Sequence, residues 1–252
     1  MRIGPTHTPD VIKWLIGANV VVHLLASSVN MAPFALFPVA VWESGHLWQI
    51  FTYMWLHGGM MHLVFNMLGL WMFGSEVAAH WGMKRFLTYY LICGIGAGFV
   101  IAIVPAFLHA MDPGSPSYHY PTIGASGAVY GVLLAHSLLW PSRTIMLLFP
   151  PIPLKAIYLI PLLFLMDMLN YNAQISHTGH LGGVVIGWIL LWRWGITGVP
   201  TLGRAKMRYR RWKMRRNLRS VQNEDLQSRR QRDDDARERR RRQKNSDGNW
   251  MN

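Results

Sequence analysis

The sequence predicts an all-α membrane protein with six transmembrane helices, a long first external loop and a basic cytoplasmic tail. Three observations carry this. The 252 residues are 51% hydrophobic and only 15% charged, against about 25% charged in ordinary soluble domains. The charge is segregated: residues 204–252 hold 18 of the 25 Lys and Arg and 7 of the 12 Asp and Glu, leaving +11 of the net +13 in the tail and +2 in residues 1–203. Residues 1–203 also contain several apolar runs near the ~20 residues that a spanning helix needs.

A first span is expected at about 12–29. The start, MRIGPTHTPDVIKW, lacks the short apolar core and small-residue cleavage site of a secretory signal, so this first span is expected to be retained. Residues 30–59 are too apolar for a free loop and too interrupted by Pro33 and Pro38 for one helix; they are expected to lie partly in the membrane interface. Further spans are expected at about 60–79, 86–108, 122–140, 153–169 and 177–195, with a turn-rich loop at 109–121. The division is thus a membrane domain over 1–200 and a solvated or disordered tail over 201–252.

Loop charge orients these spans, because cytoplasmic loops concentrate Lys and Arg. Arg2, Lys13, Lys84, Arg85, Arg143, Lys155 and Arg193 all fall on one side of the six-span plan, whereas 30–59, 109–121 and 170–176 contain neither residue. Both termini are therefore expected in the cytoplasm. Spans two, four and six then all begin near the opposite face, with HGGMMHLVFN, GASGAVYG and ISHTGHLGG at one shared depth. Polar and ionisable groups inside a membrane are costly and mark a functional layer.

In that layer His62 and Asn66 stand four residues apart on one helix face. Gly127 and Gly131 on span four match Gly183 and Gly187 on span six. Two glycine faces permit close helix approach, which would bring Ser126 towards His180. On its own, GASGAVYG reads as helix packing before it reads as a nucleophile. A serine beside an imidazole base is an activated nucleophile, and Asn66, His62 and the backbone N–H near Ser126 are candidate donors to an oxyanion. No acidic residue is assigned to this layer, so a Ser–His dyad without an Asp orienter is expected.

Taken together, HLVFN, GASGAVYG and HLGGVVIG resemble the motifs of rhomboid intramembrane serine proteases, in the family's order and over about residues 10–195. The resemblance implies a rhomboid-like bundle in which Ser126 is the nucleophile and His180 the general base. It implies His62, Asn66 and Gly124 as oxyanion or substrate-stabilising residues, with Tyr130 packing on the histidine. It implies cleavage of single-span or multi-span membrane proteins in their transmembrane segments near the outer face, with no metal and no cofactor. Many members carry Trp-Arg before span two, where this chain has Trp48-Gln49; the departure concerns the first loop.

Other residues receive structural readings. His57 is expected to make a structural hydrogen bond. His177 rivals His180 as base, and the glycine phasing favours His180. The histidines at 57, 62, 177 and 180 match no dense metal motif. Asp167 reads as a buried polar contact or a helix-end feature, and Glu76 as facing Lys84 or Arg85. Residues 94–99, GIGAGF, are a packing surface, and the lone Cys93 excludes an intrachain disulfide. The segment 30–59 and the start of span five are candidate gates. The tail is expected to contact anionic lipid headgroups, at ~1 kcal/mol per cation near the surface, with no nucleic acid as partner. The alternative to a protease is a non-catalytic relative that grips transmembrane segments. The simple plan suggests a bacterial inner membrane.

Overall fold

The computed structural model describes residues 4–26, 28–146, 151–169 and 177–197, with isolated positions beyond. The chain divides into Met1–Val199 and Pro200–Asn252, and the expectations for the tail lie almost wholly outside the described residues.

The first unit is helical throughout its core. Helix α1 (Asp10–Ala26) buries Val11, Ile12, Leu15 and Asn19, and Asn19 Nδ2 donates to the Leu15 carbonyl at 2.8 Å. Residues 30–59 form short pieces, as their prolines require: a 3-10 turn at Ala32–Phe34, helix α2 (Pro38–Glu43), helix α3 (Gln49–Thr52) and a second turn at Tyr53–Trp55. Pro38 opens α2, where its missing N–H costs nothing. The expected second span is one continuous run: α4 (Met60–Gly69), a π-helical turn Leu70–Gly74 and α5 (Ser75–Trp81).

Helix α6 (Met83–Met111) is the described helix long and apolar enough to cross a membrane by itself, with mean hydropathy 2.5. It extends a few residues into the loop expected from 109. Helix α7 (Ser126–Leu139) and helix α9 (His177–Arg193) pack against α6 and each other. The 94–99 surface is used on two sides. A Cβ at Gly94 would meet Met54, one at Gly98 the Ile50 carbonyl, and one at Gly96 the Ile186 side chain.

The helix of the expected fifth span starts later than its hydropathy suggests. A two-stranded antiparallel hairpin, β1 (Thr144–Met146) with β2 (Pro153–Lys155), pairs Thr144 with Lys155, and helix α8 (Leu159–Leu169) comes after it. Pro151 and Pro153 lack N–H donors, and Pro153 pushes Ile152 to extended backbone, which disfavours helix before the second strand.

Glu76 does not face Lys84 or Arg85. Its Oε2 accepts from Arg143 Nη1 at 2.7 Å and lies 2.8 Å from His136 Nε2. Arg85 instead lies over the rings of Trp194 and Trp81, at 4.5 and 5.1 Å. Large apolar side chains cover the outside of the bundle, including Trp14, Phe65, Phe107 and Met168 at 60–77% exposure; such a surface suits lipid rather than water.

Candidate active site

The first loop sets the backbone that precedes Ser126. An antiparallel bridge joins Leu36 to Thr122, and Gly124 N donates to the Tyr53 carbonyl at 3.0 Å. Tyr53 is itself anchored, its hydroxyl donating to the Gly94 carbonyl at 2.7 Å. Gln49, the position at which the first loop departs from the resemblance, is buried and serves both roles of an amide. Its Oε1 accepts from Phe37 N at 3.0 Å and its Nε2 donates to the Pro33 carbonyl at 3.2 Å. The departure is therefore absorbed by two neutral hydrogen bonds that brace the loop.

Gly124 has φ +127°, a conformation that favours glycine. A Cβ there would also lie 2.8 Å from His62 Cε1 and Nε2. His62, on α4, accepts from Gly58 N at its Nδ1 (3.4 Å). That contact puts the neutral ring's proton on Nε2, the nitrogen beside Gly124. One turn on, Asn66 is buried, and its Nδ2 donates to the His62 carbonyl at 2.9 Å. An amide nitrogen has two hydrogens, and the other makes no hydrogen bond among the described residues.

Ser126 is the first residue of α7 and is half-buried. The first N–H groups of a helix lack intrahelical partners, so donors gather at this point. The expected glycine faces do meet. A Cβ at Gly183 would run into the Gly127 carbonyl, one at Gly127 would lie 3.2 Å from the Gly179 carbonyl, and one at Gly187 would lie 3.3 Å from Gly131 Cα. The starts of α7 and α9 are thereby in backbone contact. His180 is buried in the first turn of α9 and Tyr130 lies one turn after Ser126; their rings stack with centroids 4.1 Å apart and 13° between planes. His177, the rival base, is exposed.

The expectation of an acid-free layer is overturned. Asp167 Oδ2, from α8, lies 2.6 Å from His180 Nδ1 and accepts from the Tyr130 hydroxyl at 2.9 Å. The sequence does carry a signal for this: Asp167 is an ionisable residue near the outer end of an apolar span, at the depth expected of Ser126. Sequence spacing does not show that α8 leans its last turn onto α9.

No hydrogen bond joins Ser126 Oγ to His180 among the described residues. Catalytic hydrogen bonds often form only with substrate in place.

His57 departs from its expected role. It is buried beside His62, their centroids 5.1 Å apart and edge-on. Neither ring nitrogen reaches a partner in ordinary hydrogen-bond geometry among the described residues, the Trp55 backbone being the nearest help. Burial, with His62 adding to it, pushes His57 down to about 4, so the ring is neutral.

The described helices thus form an apolar-surfaced bundle that gathers Ser126, His180 and Asp167 near helix ends, with His62 and Asn66 on α4. The comparisons agree: a family model for the rhomboid domain matches residues 44–195, and the chain belongs to the rhomboid family. It is 31% identical over 189 residues to RHOMBOID-like protein 12, mitochondrial, of Arabidopsis thaliana, covering 70% of this chain and 56% of that protein. It is 32% identical over 162 residues to rhomboid protease GluP of Bacillus subtilis, covering 63% of this chain and 28% of that one. Rhomboid protein 1, mitochondrial, of Saccharomyces cerevisiae is 29% identical over 144 residues, covering 54% and 38%. The chain thus spans about half or less of the length of these relatives. Mitochondrial proteins stand among them, so they lend no support to a bacterial inner membrane in particular.

Proposed function

We propose that this chain is an intramembrane serine endopeptidase that cleaves transmembrane segments of other membrane proteins, with Ser126 as nucleophile and His180 as general base. The observation that supports the reading is the backbone contact between α7 and α9 at Gly127 and Gly183, which brings the first turn of α7, bearing Ser126, against the first turns of α9, bearing His180. His180 takes the serine proton as Oγ attacks the peptide carbonyl. His62 Nε2–H, the second Asn66 N–H and the Ser126 N–H then face the developing oxyanion; losing one such donor typically costs ~10²–10³ in rate. Gly124 leaves room for the His62 ring.

In this reading the chain crosses the membrane six times, with both termini on the cation-rich side. Water reaches Ser126 from the opposite face, substrate enters from lipid, and the tail contacts anionic headgroups.

Labelling by a fluorophosphonate probe in liposomes tests the chemistry. Wild type is expected to label at Ser126, and Ser126→Ala and His180→Ala are expected not to. Folded wild type that takes no label favours a non-catalytic protein that grips transmembrane segments. Label that persists in Ser126→Ala places the nucleophile elsewhere.

A further inference from the structure

A carboxylate that the Ser–His dyad does not use lies against His180, and its role rests on the reading of Ser126 and His180 as nucleophile and base. We propose that Asp167 is a positioning residue for His180: its Oδ2 holds the Nδ1–H of the neutral imidazole, which leaves Nε2 bare to take the serine proton.

Three contacts over-determine the ring. The 2.6 Å contact to Asp167 Oδ2 fixes one nitrogen. Tyr130 stacks on the ring face at 4.1 Å. The Tyr130 hydroxyl donates to the same Oδ2 at 2.9 Å, which holds the carboxylate in turn. The His180 and Asp167 side chains are only 11% and 13% exposed, so water competes little for these bonds and each is stronger than it would be in solvent. Among the described residues, the titratable groups that face this pair are Tyr130 from α7, His62 from α4 and His177 at the start of α9. Asp167 is the single acidic side chain among them.

In the reaction step, serine Oγ bonds to the carbonyl carbon, the carbonyl π pair becomes an oxyanion lone pair, and the serine proton moves to Nε2. The imidazolium keeps its Nδ1–H on the Asp167 carboxylate, which takes up no proton itself. The oxyanion pair then reforms the carbonyl as the C–N bond breaks, and the Nε2 proton passes to the leaving amide nitrogen. Without an acceptor at Nδ1, part of the neutral histidine carries its proton on Nε2 and cannot act as base.

Two measurements on the full chain in detergent test this. The first is ¹⁵N NMR of histidine-labelled protein, with His180→Ala identifying the His180 signals. Neutral His180 is expected to bear its proton on Nδ1 in wild type and to shift towards Nε2–H in Asp167→Asn. The second is the rate of fluorophosphonate labelling. In Asp167→Asn it is expected to slow about 10²- to 10⁴-fold while the final extent of labelling stays at the wild-type level, and Asp167→Glu is expected to recover part of the rate. Loss of structure alone would lower the extent instead. An Nε2–H tautomer in wild type, or a wild-type rate in Asp167→Asn, overturns the proposal. If Asp167→Asn does not fold, the wild-type tautomer decides. Wild type that takes no label overturns the reading beneath the proposal, an outcome distinct from the tautomer result.

Discussion

Two histidine–carboxylate pairs lie at opposite ends of α7. At one, a single oxygen of Asp167 faces His180 Nδ1 and the Tyr130 hydroxyl, at 2.6 and 2.9 Å. At the other, a single oxygen of Glu76 faces His136 Nε2 and Arg143 Nη1, at 2.8 and 2.7 Å. The geometry is nearly the same and the second donor differs. Arg143 brings a full positive charge that already balances Glu76. Tyr130 brings a neutral hydroxyl, so the Asp167 charge stays available to the imidazolium that the proposed reaction would form. The free nitrogens differ as well. His136 Nδ1 is buried without a partner among the described residues, its ring near Phe73 and Trp140, at 5.0 and 5.1 Å. The turn that bears His180 abuts the start of Ser126's helix. A histidine–carboxylate pair is therefore not a functional signal in itself; the third group and the surroundings of the free nitrogen decide.

Paired substitutions test that distinction most severely. His180→Ala is expected to lower cleavage of a transmembrane substrate, per folded molecule, by about three orders of magnitude or more. His136→Ala is expected to retain the rate per folded molecule while losing about 2–5 kcal/mol of stability, because removal of a fully buried ring leaves a cavity. Equal activity losses in the two variants would erase the difference between the pairs.

A smaller effect on both properties is expected at the helix contact that serves only the Asp167 end. Gly183→Ala drives a methyl into the Gly127 carbonyl, and overpacking of this kind costs about 1–3 kcal/mol. Denaturant unfolding should show the loss and labelling of Ser126 should slow with it; a stable variant that labels slowly would place the whole effect on geometry.

Smaller again is Gln49→Ala, which leaves Phe37 N–H without its acceptor and costs about 1 kcal/mol, read as a lower thermal midpoint. Gln49→Arg restores the donor to the Pro33 carbonyl but not the acceptor, so it should recover only part.

The mildest test is pH. The folded value of His57 is about 4 against an ordinary 6.5, so between these the unfolded chain takes up a proton that the folded chain does not. Stability therefore falls as pH falls through that window, by at most about 1.4 kcal/mol per pH unit, and levels off below it. His57→Phe is expected to flatten that slope; an unchanged slope would assign it to another group.

Much of this arrangement is legible in the chain. Hydropathy places α6, α7 and α9, and the four-residue offsets from Gly127 to Gly131 and from Gly183 to Gly187 anticipate which faces meet. The departures have specific causes. Pro153, Leu154 and Ala156–Tyr158 continue the apolar run of the fifth span, so hydropathy starts that span in the second strand of the hairpin and the turn after it. Proximity in sequence pairs Glu76 with Lys84 or Arg85, whereas its partners come from the far end of α7 and the loop beyond it.

The sequence by itself determined the apolar, weakly charged body, the family motifs and the helix faces that carry His62 with Asn66 and Gly183 with Gly187, because each depends on residue type and local period. The tertiary structure alone decided that Asp167 meets His180 and that Arg143 balances Glu76. It also decided that Gln49 braces the first loop with neutral hydrogen bonds. These are contacts between elements far apart in the chain, and their partners are chosen by how helices lean on one another, which no local pattern encodes.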